Sequence, residues 1–386
     1  MQRLEKEEYS SVRVVARGLA DQGMALSALA GVRPAVVLAD SASAPAAICI
    51  AAPEAGFTWL YLAGNPHNRP FRRELREWLF VERALGADVV FGWLACDSLD
   101  WEQYLPEILA PRTTIPDRRL HYEWARPSAA WRSAVPAGYD VVPLDRALLA
   151  SGIEVDKRVT VWLDANFGSA DGFLEHGVGA VAVHEGKVVA WTLADSFIDG
   201  LCDLGTETDK AHWRRGLSYA ATCLAAELAL ARGAKRIGWH CHAVNVPSVR
   251  TAEKAGFELR YPCTMYPVHF DGAQHEDLVR IIADEYAESA YEAVAQKEYA
   301  EADRLFTCML GFDYQPNPEA LHAAARAAAA LGAHNRAFAL LAAAVDRGWT
   351  DAQATEAQPE FKPLRTDARW PNVLARIASR ATQEAT

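Results

Sequence analysis

The sequence predicts an α/β fold, a mixed sheet with helices, followed by an all-α C-terminal region. Over residues 1–150, short apolar runs typical of strands alternate with amphipathic helices. From Val159 to Phe270, strands come both before and after one long helix, which is the order of a mixed sheet. After Gly272 the composition shifts to alanine-rich helical segments. We therefore expect three domains, which comprise residues 1–150, 151–272 and 273–386.

The elements of the first region follow from its apolar runs. The predicted strands begin at Pro34, Ala46, Phe57 and Asp88, and the predicted helices span Pro70 to Leu85 and Trp101 to Leu109. A segment rich in proline and arginine, from Pro111 to Pro136, is expected to interrupt this pattern. A strand and a short helix from Tyr139 then lead into the next region.

The second region alternates strands and helices up to Phe270. Its pattern predicts, in order, a strand from Val159, a short helix SADGFLEHG, a hairpin that turns at Glu185 and Gly186, a strand from Leu201 to Asp209, a long helix from Arg214 to Arg232, a strand RIGWHC, a helix from Pro247 to Ala255 and a strand FELRY.

The alanine-rich region repeats one helical pattern. Ala302 and Ala337 lie 35 residues apart in similar helical surroundings, close to the ~34-residue period of tetratricopeptide helix pairs. Small residues at such positions let two helices pack closely. We expect a tetratricopeptide-like helical domain, with a generic helical bundle as the alternative. Its helices would offer a docking surface for a peptide or for a carrier protein.

The composition excludes several classes of function. The chain has 386 residues, 51% of them hydrophobic, and a net charge of −11. This apolar content supplies a buried core, and the acidic balance argues against a nucleic-acid binder, which needs a basic face. No run reaches the ~18–20 apolar residues that span a bilayer, and the charged start of the chain is unlike a signal peptide.

The seven cysteines are scattered and include no C-x-x-C pair. This distribution favours reduced thiols in the cytoplasm over a disulfide framework or a structural zinc site. In the segment HCH, His240 and His242 are alternate strand residues and so share one face, with Cys241 between them. A third ligand at metal spacing is not evident. We therefore expect no metal.

The most informative segment runs from Cys202 to Leu259. In it, a basic turn that contains glycine, RRGLS, precedes the long helix. The first N–H groups of a helix have no intrahelical acceptor, and with the positive end of the helix dipole they form a cradle for phosphate. Gly216 allows close approach of a ligand, and Arg214 and Arg215 add positive charge. The turn is a predicted pyrophosphate site.

This segment resembles the GNAT superfamily of acyl-CoA-dependent N-acyltransferases. The family motif Q/R-x-x-G-x-G/A corresponds to residues 213–218, in which Gly216 matches and Trp213 and Ser218 depart from the motif. An asparagine and a short helix ending in K-x-G-F often follow in the family, and are matched here by Asn245, Ser248, Lys254, Gly256 and Phe257. The combination looks most like the zwittermicin A resistance-type branch over residues 160–265. The preceding region resembles a divergent lobe, so the resemblance implies tandem GNAT-like lobes.

The resemblance implies acetyl-CoA as the acyl donor and a primary amine of a small molecule or peptide as the acceptor. By family analogy, the acceptor is an antibiotic-like metabolite in resistance or biosynthesis. The pantetheine arm would enter a gap between the strands at Leu201–Asp209 and Arg236–Cys241, and the amine would attack the thioester directly. The residues expected to hold the donor are Thr206, Thr208, Arg214, Arg215, Gly216, Leu217, Ser218, Tyr219, Asn245 and Ser248.

An ammonium cannot attack the thioester, so a base or a chain of water molecules must first take its proton. Glu207 and Asp203 share one face of a predicted strand, and Glu207 is the first candidate. His240 or His242 is an alternative base, because histidine titrates near neutral pH. The acid that protonates the leaving thiolate is unassigned, because Ala252 stands where many family members have tyrosine. The substitutes to consider are Tyr219, Tyr261 and Tyr266.

Three alternatives remain open. Cys202 and Cys241 lie on the two strands and would support an acyl-cysteine intermediate, although buried cysteine as a small hydrophobe is the simpler interpretation. A non-catalytic binding or scaffold protein is the second alternative. The third is an acyl donor bound to a carrier protein, because free CoA and a carrier present the same phosphopantetheine arm.

Overall fold

The computed structural model describes residues 1–54, 56–126, 130–270 and 275–384. Among these residues, twelve strands form one sheet in the order β1-β2-β3-β4-β5-β12-β6-β11-β10-β9-β8-β7, which confirms the predicted mixed sheet. The strands are β1 (Gln2–Arg3), β2 (Val36–Ala39), β3 (Ala47–Glu54), β4 (Phe57–Gly64), β5 (Phe91–Cys96), β6 (Asp117–Trp124), β7 (Asp140–Pro143), β8 (Gly179–His184), β9 (Lys187–Ile198), β10 (Leu201–Thr208), β11 (Arg236–His242) and β12 (Phe257–His269).

Helices alternate with the strands up to β12 and form every described element after it, as the sequence predicts. Those of the sheet region are α1 (Gly23–Leu29), α2 (Arg69–Arg76), α3 (Leu105–Leu109), α4 (Arg146–Ala150), α5 (Lys157–Phe167), α6 (Ala170–His176), α7 (Leu217–Ala231) and α8 (Val246–Ala255). Those of the C-terminal region are α9 (His275–Ala295), α10 (Tyr299–Leu310), α11 (Pro318–Ala330), α12 (His334–Asp346), α13 (Ala352–Ala357) and α14 (Trp370–Glu384).

The sheet consists of two similar lobes. In each lobe a crossover helix joins one parallel pair of strands, β4–α2–β5 in the first and β10–α7–β11 in the second. Strand β6 belongs to the first half of the sequence but lies between β11 and β12, and β12 in turn pairs with β5. The lobes thus exchange strands and share one hydrogen-bonded sheet. The domain boundary near residue 150 stays a prediction.

The run at Val159 is helical, so the strand predicted there was wrong. The Asp156 side chain caps the first turn of α5, and the buried residues Val159, Leu163 and Phe167 recur every fourth position. This is the spacing of one helix face. Gly168, at φ 76°, ends the helix in the left-handed conformation. The β-branched residues indicated a strand because five residues are too few to show the helical period.

The proline- and arginine-rich segment does not interrupt the sheet, contrary to the prediction. Its residues Asp117–Trp124 form β6, which lies near the centre of the sheet. The sequence of β6 has no continuous apolar run because charged and polar side chains occupy every second position. A strand of this kind is recognised by its alternation and not by its hydrophobicity.

Two helix boundaries also differ from the prediction. Helix α7 begins at Leu217 and not at Arg214, because Arg214 (φ 62°) and Gly216 (φ 75°) have left-handed backbones that a right-handed helix cannot include. Helix α2 ends at Arg76, and a single π-helical turn follows it before the predicted end at Leu85.

The contacts divide the chain into two units, residues 1–243 with 247–274 and residues 244–246 with 275–386. The helical unit has its own core, in which Ala302 and Ala337 are both fully buried. The tetratricopeptide-like arrangement of these helices stays a prediction. In the described ranges, no helix combines the length and the apolar character needed to cross a membrane.

Candidate functional site

The parallel pair β10–β11 separates part of the way along its length. The two strands pair from Leu201 with Arg236 to Asp203 with Gly238. Beyond Asp203, β10 pairs only with β9 as far as Thr208, and β11 pairs only with β6. The backbone groups on the inner edge of β10 therefore face a gap, at the place that the family resemblance implies.

The first lobe has no corresponding gap in its described strands. There β4 and β5 pair continuously over six residues, from Phe57 with Phe91 to Leu62 with Cys96. The two lobes thus share a topology but differ in the feature that would admit a ligand between strands. Among the residues that the structure describes, only the second lobe combines a separated strand pair with a glycine turn.

The turn before α7 presents an open helix N-terminus. Gly216 has a left-handed backbone, and a Cβ placed on it would meet no atom within 4 Å. Leu217, the first helical residue, is buried and anchors the turn. Thr208 Oγ1 and Ser218 Oγ lie 2.7 Å apart, and Trp213 Nε1 donates to the Thr208 carbonyl at 2.7 Å. These contacts hold the turn against the end of β10 and leave the face above Gly216 open.

The other side chains expected to hold a donor lie at different depths. Thr206 Oγ1 donates to the Trp191 carbonyl at 2.7 Å, so only the backbone of Thr206 is available to the gap. Tyr219 is buried beneath the Lys254 ammonium, which lies 4.4 Å from the ring centroid. The remaining positions are Arg214 and Arg215, which flank the turn, Asn245, which lies between β11 and α8, and Ser248, whose Oγ accepts from Trp239 Nε1 at 3.1 Å.

Glu207 and Asp203 share a face of β10 but have different surroundings. Glu207 is half-buried and forms an ion pair with Arg158, a residue that also contacts Asp209 and Asp156. Burial raises the pKa of Glu207, and the Arg158 charge opposes that rise. Glu207 is thus one of several carboxylates around a single cation.

Asp203 is buried at the last residue pair before the gap. Its Oδ2 accepts a hydrogen bond from the Gly23 N–H at 2.9 Å, whereas its Oδ1 has no hydrogen-bond partner in the described chain. A Cβ on Gly238 would lie 2.0 Å from Oδ1 and one on Gly23 would lie 2.3 Å from Oδ2, so both glycines make room for this carboxyl. Burial raises the pKa of Asp203 to about 7.

Asp195 is a second carboxyl on this face that sequence reasoning missed. The register of β9 against β10 passes from Ser196–Asp203 to Ala194–Leu204, so Asp195 is the extra residue of a β-bulge. Burial, followed by the charge of Asp203, raises the pKa of Asp195 to about 8. A bulge leaves no reliable signal in a single sequence, and so Asp195 could not be singled out.

His240 lies beside Asp203 on the same face. Its Nε2 is 3.9 Å from Asp203 Oδ1, 2.9 Å from His121 Nδ1 and 3.2 Å from the carbonyl oxygen of Asp21. A carbonyl oxygen only accepts, so Nε2 carries the proton and Nδ1 keeps its lone pair. Burial lowers the pKa of His240 to about 3, and also lowers that of His121, so both rings are neutral at pH 7.

Strand β6 adds a row of polar side chains that sequence reasoning missed. Asp117, Arg119, His121 and Glu123 occupy alternate positions, and the first three are buried. Arg119 Nη1 donates to His242 Nε2 at 2.8 Å, and His242 Nδ1 lies 2.6 Å from Asp117 Oδ2. We call Asp117, Arg119, His121 and Glu123 the polar row. These polar residues alternate with Leu120, Tyr122 and Trp124, and this alternation was the signal that could have revealed the row.

One cluster at the end of the polar row has the composition of a metal site. Single ligand atoms of Asp21, His121 and Glu123 lie within 4.8 Å of one another. The Arg236 guanidinium contacts both carboxylates, and Tyr261 donates to Asp21 Oδ2 at 2.5 Å. A cation of the chain itself therefore already balances this cluster.

The two cysteines beside the gap are poor nucleophiles. Cys202 and Cys241 are both buried. Burial raises the pKa of Cys241 to about 11 and that of Cys202 well above its ordinary value. The thiolate is the nucleophilic form, so this arrangement disfavours an acyl-cysteine intermediate.

Comparisons place the chain among acetyltransferases. A family model described as GNAT acetyltransferase matches residues 17–266. The chain is similar to a GCN5-related N-acetyltransferase-like protein from Streptococcus suis, with a TM-score of 0.53 and 20% identity over 67% of this chain and 98% of that chain. It is also similar to a tandem GNAT protein from the clavulanic acid biosynthesis pathway, with a TM-score of 0.48 and 14% identity over 70% of this chain and 98% of that chain. No curated protein matches the chain.

Proposed function

The chain belongs to the GNAT acetyltransferase family, and on this basis we propose that it transfers an acetyl group from acetyl-CoA to a primary amine of a small molecule or peptide. The observation that carries this proposal is the separation of β10 from β11 after Asp203, beside the open N-terminus of α7. One end of the gap is suited to phosphate, and titratable side chains line the other.

The chain's own groups fit the donor as follows. The first N–H groups of α7 bind the pyrophosphate, and Arg214 and Arg215 offset part of its charge. The inner edge of β10 offers backbone groups to the pantetheine arm. N–H donors on this edge polarise the acyl carbonyl and stabilise the developing oxyanion. A thioester supplies an acyl group that an amine can attack directly.

Asp203 and His240 together take the proton of the acceptor ammonium. A carboxyl group with a pKa of about 7 matches a base that works at neutral pH, and the neutral imidazole of His240 orients the amine. The amine nitrogen then bonds to the acyl carbon, the carbon–sulfur bond breaks, and the thiolate leaves. Glu207, held by Arg158, keeps α5 against β10 in this scheme.

The acid that protonates the thiolate stays unassigned among the tyrosines considered. Tyr261 donates to Asp21 and Tyr266 donates to Glu102, and burial raises the pKa of both hydroxyls. Solvent in the gap serves equally well, because a thiolate is a stable leaving group. The seven unpaired cysteines support the proposed cytoplasmic location.

The test is thiol release from acetyl-CoA in the presence of a panel of primary amines, with mass spectrometry of the products. We expect release that depends on the amine and a product acetylated on nitrogen. Turnover with an acetylated carrier protein, but none with acetyl-CoA, would point to a carrier-bound donor. Failure of acetyl-CoA, longer acyl-CoAs and CoA to bind at all would contradict the proposal.

A further inference from the structure

We propose that the acceptor amine also carries a carboxylate, and that Arg119 of the polar row binds it. This inference rests on the proposed function and specifies its substrate class. The acceptor is then an amino acid or a related amino carboxylate, held by its two charged ends.

The first support is the state of Arg119 itself. The residue is 8% exposed, and its only hydrogen bond within the described ranges is the one from Nη1 to His242 Nε2, at 2.8 Å. No carboxylate of the described residues lies within salt-bridge distance of its guanidinium. A buried guanidinium without an anion is costly, and this cost falls when a carboxylate binds the fork in a bidentate manner.

The second support is the way Arg119 is held. A guanidinium only donates, so His242 Nε2 accepts from Arg119 and the proton of the neutral ring is on Nδ1, which lies 2.6 Å from Asp117 Oδ2. Asp117 and His242 thus orient the guanidinium from one side. The other N–H groups of Arg119 remain for a ligand.

The third support is the position of Arg119 relative to the proposed base. Arg119 is paired with His242, and His121 is paired with His240 on the next rung of the same face. Two residues along a strand span about 7 Å. After burial and His121, the Arg119 charge is the next contribution that lowers the pKa of His240, so the two side chains are within electrostatic reach. A cation therefore lies at the Arg119–His242 pair, and Asp203 lies beside His240 in the neighbouring pair.

A purely structural role for Arg119 makes a different prediction. Asp117 would then balance Arg119 through His242, and loss of the arginine would lower stability without changing the choice of acceptor. The two roles therefore differ in acceptor preference, which can be measured.

The experiment compares matched amines that differ in the carboxylate: 4-aminobutyrate with butylamine, β-alanine with propylamine, and lysine with cadaverine. The variants are Arg119→Gln, Arg119→Lys and the control Arg118→Gln, whose side chain is exposed on the adjacent position of β6. Acetylation gives kcat and KM for each amine. Calorimetric titration of 4-aminobutyrate into the CoA-loaded protein gives binding without turnover.

We expect the wild type to prefer the carboxylate-bearing member of at least one pair. Arg119→Gln should raise its KM about 10- to 100-fold, the usual effect of losing a charge-assisted pair, and should change the simple amine little. Arg119→Lys should keep part of the preference, and Arg118→Gln should match the wild type. Should Arg119→Gln fail to fold, Arg119→Lys and the wild-type preference decide the question.

Equal efficiency with both members of every pair, or an equal loss for both in Arg119→Gln, would overturn the inference while leaving amine acetylation intact. The proposed function itself fails in a different way, when acetyl-CoA does not bind or no amine is acetylated. Binding of 4-aminobutyrate that is unchanged in Arg119→Gln also counts against the inference.

Discussion

Oδ1 of Asp203 lies 3.9 Å from Nε2 of His240, at the last residue pair before β10 and β11 separate. The relationship depends on Gly238, because a Cβ there would stand 2.0 Å from the same oxygen. The fold thus places an unpaired carboxyl oxygen and a neutral imidazole at the closed end of the gap.

Asp203→Asn should lower kcat by about 10²- to 10⁴-fold, the range for loss of a general base. The wild type should show a rise in kcat with pH that is half complete near pH 7 and levels off above it, because Asp203 must be ionised to accept a proton and its pKa is about 7. Asp203→Asn should lose this limb but still bind CoA. A pH–rate profile and calorimetry check both points. A nearly unchanged kcat in the variant would show that Asp203 is not the general base.

The same substitution has a predictable effect on stability. The folded-state pKa of Asp203, about 7, lies above the unfolded value of about 4. The folded state therefore binds the proton more tightly, and the wild type loses stability as pH rises from about 4 through 7. The difference in melting temperature, Asp203→Asn minus wild type, should therefore be more positive at pH 8 than at pH 5. The opposite change would show that the folded-state pKa is not raised.

Glu207→Gln should reduce kcat by less than about tenfold. Glu207 is half-buried and paired with Arg158, which keeps contacts with Asp156 and Asp209 after the change. Ion pairs between side chains that solvent partly reaches contribute little, roughly 0–1 kcal/mol. Parallel assays of Glu207→Gln and Asp203→Asn separate the two candidates. A loss in Glu207→Gln as large as in Asp203→Asn would make Glu207 the base, as the sequence alone suggested.

The sequence predicts the turn before α7 more completely than it predicts the polar face beside Asp203. The turn around Gly216 is local in sequence, and its glycine, its arginines and the following helix are readable within about twenty residues. The polar face beside Asp203 combines residues that are far apart in the chain: the Gly23 N–H donates to Asp203, and His121 lies on β6, which inserts beside β11. Strand exchange between lobes cannot be read from periodicity.

The missed elements have a common physical cause. In β6 the side chains of the polar row are charged or polar, and in α5 β-branched residues occupy a helix whose stability comes from its cap and its buried face. In both places the environment overrides the local propensity. Functional strands and packed helices are where propensity is least informative.

The proposed CoA site at the start of α7 is tested by one substitution at that end of the helix, with a control at the other end. Gly216→Glu should abolish CoA binding, because it places a carboxylate where the phosphates are expected and reverses the charge that favours them. Gly233→Glu is the matched control. Gly233 follows the other end of α7, also has a positive φ (96°), and its Cβ would likewise meet nothing within 4 Å.

Both variants place a non-glycine residue at a positive φ, which costs on the order of 1–2 kcal/mol at each position. Their melting temperatures should therefore fall by similar amounts. Calorimetric titration of CoA should show binding to Gly233→Glu and none to Gly216→Glu. If Gly216→Glu still binds CoA with the affinity of the control, the phosphates do not lie on this turn, and the donor site must be sought elsewhere.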